Sequence, residues 1–304
     1  MPQLSVIMPV YNAGHPLRRA IASTLAAMPK NAELIALDDG SSDGSLQLLR
    51  QLAQADHRLK VMANDVNMGV APSLNRLLES CDSPIVARMD ADDIALPWRF
   101  FLQQRILASQ ATDVVFATVM HYASDVSRLW PQLPFSVEED VAPFMLLLVN
   151  PFIHATMCAD VSVLRAIGGY RTVPSEDYDM WMRLALSGRR MLRVALPALI
   201  YRHHASQVTA SSDWEAKARF NPATAAVHAE LAYQLVKWER PVFAAQRGPL
   251  TTASDIAEVG AFLARVSTRA AELGLDESRA LKREIEKRGA RLRLARLHVR
   301  PGGP

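Results

Sequence analysis

Four short apolar runs near the N-terminus constrain this chain more than any other feature: each is closed by polar side chains, and a helix-length amphipathic stretch separates each from the next. The runs are Leu4 to Val10, Glu33 to Leu37, Leu59 to Met62 and Ile85 to Met89. Between them, Leu17 to Ala27, the segment carrying Leu46, Leu49 and Leu52, and Val70 to Leu78 space their apolar residues as helices do. Strands alternating with short helices imply βαβ units and a parallel sheet, an α/β fold class. In such sheets ligands bind beyond the carboxyl ends of the strands. There the sequence places Tyr11-Asn12, Asp38-Asp39, Asn64-Asp65 and Asp90-Ala91-Asp92. Four polar strand ends on one edge describe a site more readily than four unrelated loops.

The last of these ends, Arg88-Met89-Asp90-Ala91-Asp92-Asp93, is the most acidic. Three carboxylates at the end of a strand repel one another unless something positive sits among them. In an extended segment, side chains two residues apart point the same way. Asp90 and Asp92 are thus expected to face one spot, with Asp93 free to turn elsewhere. Carboxylate oxygens suit hard divalent ions, Mg²⁺ or Mn²⁺, which bind through one or two carboxylates plus substrate phosphates. The plainer alternative is a solvated acidic turn before a helix.

The remaining sequence is less regular. Val114 to Met120 reads as a strand, Val141 to Val149 as a short buried helix, and Leu192 to Ala195 and Ala198 to Tyr201 as strands. A helix follows Ser175 with Trp181 packed inward. From about residue 211 the texture changes to Ala, Glu, Arg and Leu at helical spacing. Two cysteines, Cys81 and Cys158, are too few for a disulfide framework, so a reducing compartment is expected. No positive segment precedes the first apolar run, and no run approaches the ~20 residues that span a bilayer. A cytoplasmic protein is the expectation.

Six motifs now stand in order: Pro9-Val10-Tyr11-Asn12, Asp38-Asp39-Gly40-Ser41-Ser42-Asp43, Asn67-x-Gly69, Asp90-Ala91-Asp92-Asp93, Ser175-Glu176-Asp177-Tyr178-Asp179-x-Trp181-x-Arg183 and Tyr201-Arg202-His203-His204. In that order and spacing the chain resembles the family 2 inverting glycosyltransferases of the GT-A fold, over roughly residues 3 to 209. The resemblance implies a Rossmann-like, mixed, mainly parallel sheet flanked by helices. Residues 1–210 would form the nucleotide-sugar-binding and catalytic domain, and 211–304 a helical C-terminal region, basic at its end. It implies a divalent metal ion held by Asp92, with Asp90 on the ribose or on the metal's water, and His204 reaching the metal or the diphosphate. It implies that Asp38 reads the base of a nucleoside-diphosphate sugar, a UDP-sugar above all, beneath Pro9 and Tyr11, with Asn12, Asp39 and Asn67 nearby. Arg202 suits phosphate charge by its fork of donors. Asp177 becomes the general base, with Glu176 beside it. The acceptor would be a hydroxyl of a glycan or a lipid-linked saccharide.

Other readings accompany these. Asp43 can simply cap the next helix, and Glu176 and Asp177 suit a helix N-terminus through its dipole alone. Trp98 is either core or a sugar-stacking platform, and His154 a candidate for the acceptor side. A nucleotidyltransferase acting on sugar phosphates also places acids at a sheet edge, but the loop Tyr11-Asn12-Ala13-Gly14-His15 lacks the basic, glycine-rich character a triphosphate needs. A nucleotide-sugar-binding regulator without turnover is the non-enzymatic rival, against which the Glu176-Asp177 pair speaks. Residues 279 to 300 hold nine Lys/Arg against two Glu, whereas the whole chain is only +3. That tail reads as a solvated helix packed on the fold, or as a helix lying on an anionic membrane surface. Nucleic acid binding finds no motif support.

Overall fold

The computed structural model describes residues 2–109, 112–123, 127–203 and 212–298. The elements run β1 (Leu4–Val10), α1 (Pro16–Ala27), β2 (Ala32–Asp39), α2 (Ser45–Ala55), β3 (Leu59–Asn64), α3 (Val70–Glu79), β4 (Ile85–Arg88), β5 (Ile94–Ala95), α4 (Arg99–Ser109), β6 (Val114–Ala123) and β7 (Arg128–Pro131). They continue with α5 (Ala142–Leu148), a 3-10 turn at His154–Thr156, β8 (Cys158–Asp160), α6 (Val161–Ala166), α7 (Glu176–Leu186) and β9 (Met191–His203). Then come α8 (Ser212–Arg219), α9 (Pro222–Val236), α10 (Phe243–Arg247), α11 (Ala253–Glu272) and α12 (Arg279–His298). Two compact units result: Met1–Pro134 with Phe152–Thr172 and Arg189–Gln207, and Phe135–Pro151 with Val173–Gly188 and Val208–Pro304.

The first unit holds a nine-stranded mixed sheet in the order β3-β2-β1-β4-β8-β6-β9-β5, with β7 paired to β6. β3, β2, β1 and β4 are parallel to one another. The chain leaves β1 towards β2 and β3 on one side and returns to β4 on the other. The gap at β1 is therefore the switch point where such sheets bind ligands. β1 and β2 are buried along nearly their whole length, as apolar strands covered on both faces must be. Leu17, Ile21, Leu49 and Phe100 from the helices complete the core against them.

β9 is one long strand where the sequence suggested two. Pro197, which has no N–H to give a ladder, sits at an irregularity in its pairing with β6, where Thr118 meets Pro197 and Val119 meets Leu199. A bulge there lets the strand run through the proline.

The second unit is helical. α5 is packed by α7, α9 and α12, and α11 lies along α9 and α12. Trp181 is fully buried, as expected. Buried Leu281 and Leu292 fasten α12, which is the packed-helix reading of the basic tail. Among the described residues no helix is long and apolar enough to cross a membrane.

Candidate active site

Loops after the first three strands are tied to one another by side chains. Asn12 takes a left-handed turn (φ 46°), donates its N–H to Ser41 Oγ at 2.9 Å and accepts the N–H of Ser42 on its own Oδ1. Asp43 accepts from Gly14 N at 2.9 Å and Ser45 N at 3.0 Å, so it fastens the β1 loop to the start of α2. Gly40 passes so close to the β3 loop that a Cβ would sit 2.8 Å from Asn67 N and from the Val66 carbonyl carbon, so only glycine fits. Asn67 is exposed and accepts from Gly69 N. Tyr11 stands 53% exposed, and Pro9 is half-buried within β1.

The two aspartates ending β2 differ. Asp39 accepts from Asn64 Nδ2, Met68 N and Gly69 N, at 2.6, 2.9 and 2.9 Å, and is occupied in holding the β3 loop. Asp38, paired in register with Val10, accepts Ser41 N at 3.0 Å through Oδ2, while its buried Oδ1 has no hydrogen-bond partner. A buried, unmatched acceptor is costly unless a ligand's N–H completes it.

Beyond β4, oxygens of Asp90, Asp92 and Asp93 all lie within 4.8 Å of one another. Asp93 thus joins the other two rather than turning away. The strand ends at Arg88 and residues 91–92 form a turn, so the two-residue alternation no longer applies. Asp93 is 1% exposed; its Oδ1 accepts Arg202 N at 2.9 Å, and its Oδ2 is buried without a hydrogen-bond partner. Asp90 pairs with Arg88 at 2.7 Å. Burial pushes the carboxyl of Asp93 well above the usual carboxylate range, and the neighbouring acids push it further. Burial raises Asp90 too, against the pull of Arg88. The donor set consists of hard carboxylate oxygens, one of them orphaned, and it fits a divalent ion.

Sequence reasoning missed what lies beneath this cluster. Arg99, wholly buried, donates to the carbonyls of Arg88 and Ala155 and to Gln103 Oε1. Burial lowers it to about 10, while Asp93 and Asp90 hold it up. A charged residue opening an otherwise aromatic stretch, Arg99-Phe100-Phe101, was the available signal.

His203 faces His121, ring nitrogens 3.0 Å apart, and stacks on Trp130. His204 lies outside the described residues. His154 is buried and bonded to the Tyr170 hydroxyl at 2.7 Å, and burial holds it well below its ordinary value. Trp98 is 45% exposed and donates to the Pro197 carbonyl.

In the second unit Glu176 and Asp177 open α7. Asp177 accepts Asn150 Nδ2 at 2.9 Å and Tyr178 N at 2.7 Å. Asp179 and Arg183 form a buried pair at 2.7 Å on the same helix as the buried Trp181.

A mixed sheet whose parallel half carries an acid cluster beside its switch point places the protein among the α/β folds that bind ligands beyond their strand ends. Residues 5–168 match the family model described as glycosyl transferase family 2, and the chain belongs to that family. It is therefore an enzyme, a glycosyltransferase. It is 33% identical over 198 residues to the putative glycosyltransferase EpsE of Bacillus subtilis, covering 62% of this chain and 69% of that protein. It is 27% identical over 184 residues to an Escherichia coli protein named UDP-Glc:alpha-D-GlcNAc-diphosphoundecaprenol beta-1,3-glucosyltransferase WfgD, covering 60% and 69%. Among solved structures, S. aureus TarS 1-349 in complex with UDP-GlcNAc superposes with a TM-score of 0.63 at 18% identity, covering 98% of this chain and 93% of that one. A mannosyltransferase of Pyrobaculum calidifontis, in complex with GDP-Man and Mn²⁺, gives 0.56 at 19% identity over 97% and 86%. At such identities the structures speak for a shared GT-A fold, a mixed sheet flanked by helices.

Proposed function

We propose that this glycosyltransferase is metal-dependent and inverting, and that it moves a sugar from a UDP-sugar to a hydroxyl of a glycan or lipid-linked saccharide. The observation that carries the reading is the convergence of Asp90, Asp92 and Asp93 at the carboxyl end of β4 with a buried carboxylate oxygen left unsatisfied. Asp92 and Asp90 would hold Mn²⁺ or Mg²⁺, with His204 as a further ligand. When bound, such an ion stabilises the charge that gathers on the departing diphosphate.

The chain's own residues do the rest. Asp38 Oδ1 accepts the imide N–H of uracil, the donor it lacks in the fold. Tyr11 and Pro9 cover the ring, with Asn12, Asp39 and Asn67 shaping the loops around it. Arg202, whose main-chain N–H already braces Asp93, adds positive charge for the phosphates. Asp177, oriented by Asn150, takes the acceptor hydroxyl's proton as that oxygen attacks the anomeric carbon, and Glu176 supports it. One base and a single displacement from the face opposite the leaving group invert the anomeric centre. The lipid-linked acceptor is suggested by the similarity to WfgD, whose name specifies a diphosphoundecaprenol-linked sugar as acceptor. The outward Leu294 and Leu297, 59% and 79% exposed among Arg293 and Arg296, favour a peripheral contact of α12 with an anionic membrane. Residues 1–210 would carry donor binding and catalysis.

The test is release of UDP from UDP-sugars with and without Mn²⁺, alongside transfer to diphosphate-linked saccharides. Ion-dependent release upholds the reading. Turnover indifferent to a chelator would remove the metal, and absence of any diphosphate release would remove the donor class.

A further inference from the structure

The C-terminal helices, beyond the residues that match the family, gather positive charge around one short turn. Gln246 to Gly248 closes α10, and four arginines from three helices reach it. Arg291 donates to Gln246 O at 3.0 Å and to Gly248 O, and Arg288 also reaches Gln246 O at 3.4 Å. Arg219 donates to Ala244 O at 2.9 Å and lays its guanidinium against Gly248, where a Cβ would collide with it. Arg247 belongs to the turn itself and lies over the rings of Tyr178 and Phe243, 5.2 Å from each centroid. Among the described residues the carboxylate that pairs with any of them is Glu284, which takes Arg288 at 2.9 Å and also Lys287 at 3.8 Å. Among the described residues no carboxylate pairs with Arg219, Arg247 or Arg291.

Capping carbonyls accounts for the hydrogen bonds, since arginines commonly satisfy the last carbonyls of helices. It does not account for the charge. A carbonyl neutralises nothing, and guanidinium groups drawn together repel. Burial, and after it the nearby Arg288 and Arg219, hold Arg291 below its ordinary value. A groove of about 390 Å³ adjoins Arg219, walled by Phe220, Val242, Phe243 and His228. Asp255 and Glu258 also line it, and Glu258 is turned to Arg240 at 3.9 Å.

We propose that Arg219 and Arg291, flanking Gly248, form a binding site for a phosphate or diphosphate group, with the adjoining groove taking what that group is attached to. Each guanidinium has five N–H donors, more than its carbonyl bonds use, and those left over suit phosphate oxygens. The site does not depend on the transferase reading, because its residues lie outside the acid cluster and need no divalent ion.

The experiment is calorimetric titration of inorganic pyrophosphate into the full chain in EDTA, so that the acid cluster holds no metal. One saturable site is expected. Arg219→Ala and Arg291→Ala should each weaken binding about tenfold or more, and Asp92→Ala should leave it unchanged. Arg291 is exposed, so its variant stays folded even if Arg219→Ala does not. Farnesyl diphosphate is the second probe. Tighter binding than pyrophosphate upholds the site with a lipid headgroup as its source, and equal binding upholds it with a free anion. No saturable binding, binding undiminished by Arg291→Ala, or binding lost in Asp92→Ala would overturn the proposal.

Discussion

The acid loop after β4 and the arginine turn after α10 pose the same electrostatic problem with opposite signs, and the fold treats them differently. Around Asp90, Asp92 and Asp93 the protein supplies counter-charge: Arg88 from the strand and the buried Arg99 from α4. Two guanidinium groups against three carboxylates leave a small negative surplus, on which the proposed divalent ion would sit. Around Gly248 the protein supplies mostly dipoles, the ends of α5 and α10, and Glu284, which is paired to Arg288. The first arrangement would be completed by the proposed cation, whereas the second leaves a larger positive excess that a bound anion would have to meet. A site is thus marked less by clustered charge than by how much of it the fold itself has balanced.

That comparison can be broken at either end. The largest effects belong to the proposed catalytic carboxylates, within the acid loop and on α7. Asp177→Asn should cut kcat by about 10²–10⁴-fold while donor affinity, measured by titration with UDP and Mn²⁺, stays within twofold or so. Asp92→Ala should lower both, since it removes a proposed ion ligand; equal donor affinity in Asp92→Ala and wild type would put the ion elsewhere. Arg99→Met should follow, losing about 3 kcal/mol of stability in denaturant melts, because two buried carbonyls lose their donor. A neutral result would mean that Arg99 neither braces nor balances the loop.

His228, in the second unit, gives a pH signature. Its Nε2 meets the Leu147 carbonyl at 3.0 Å and Gln246 Nε2 at 2.9 Å, and burial lowers it to about 4. A histidine depressed on folding binds its proton more readily when unfolded, so stability falls as pH drops from about 6.5 to 4, by up to about 3 kcal/mol. His228→Gln should flatten that slope in melts across the window; an unchanged slope would assign the acid sensitivity to other groups. The smallest effect is Arg291→Ala without added anion, expected to move stability by less than ~0.5 kcal/mol, as exposed substitutions do. A large gain in stability would mean that the arginines repel more than they cap.

The sheet edge was legible because parallel βαβ units advertise themselves: apolar runs end in polar residues and helices intervene. The acid cluster was legible because its members are neighbours in sequence. What failed was local geometry. Strand alternation left the side of Asp93 open, and the turn at residues 91–92, which sequence spacing does not reveal, carries it inward. β9 was split at Pro197, although a bulge accommodates the proline. Asp38 and Asp39 read alike in sequence, and only hydrogen bonding separates the occupied carboxylate from the one with an open oxygen. Arg99 and the arginines near Gly248 act through tertiary contacts across 11 to 56 and 25 to 45 residues, which no local spacing reveals.

Manganese binding followed by electron paramagnetic resonance, in the presence of UDP, tests the central claim most directly. One Mn²⁺ per chain, bound in the wild type and lost in Asp92→Ala, is the result expected of carboxylates gathered at the end of β4. The same Mn²⁺ binding in both proteins, or UDP binding that ignores the ion, would contradict it.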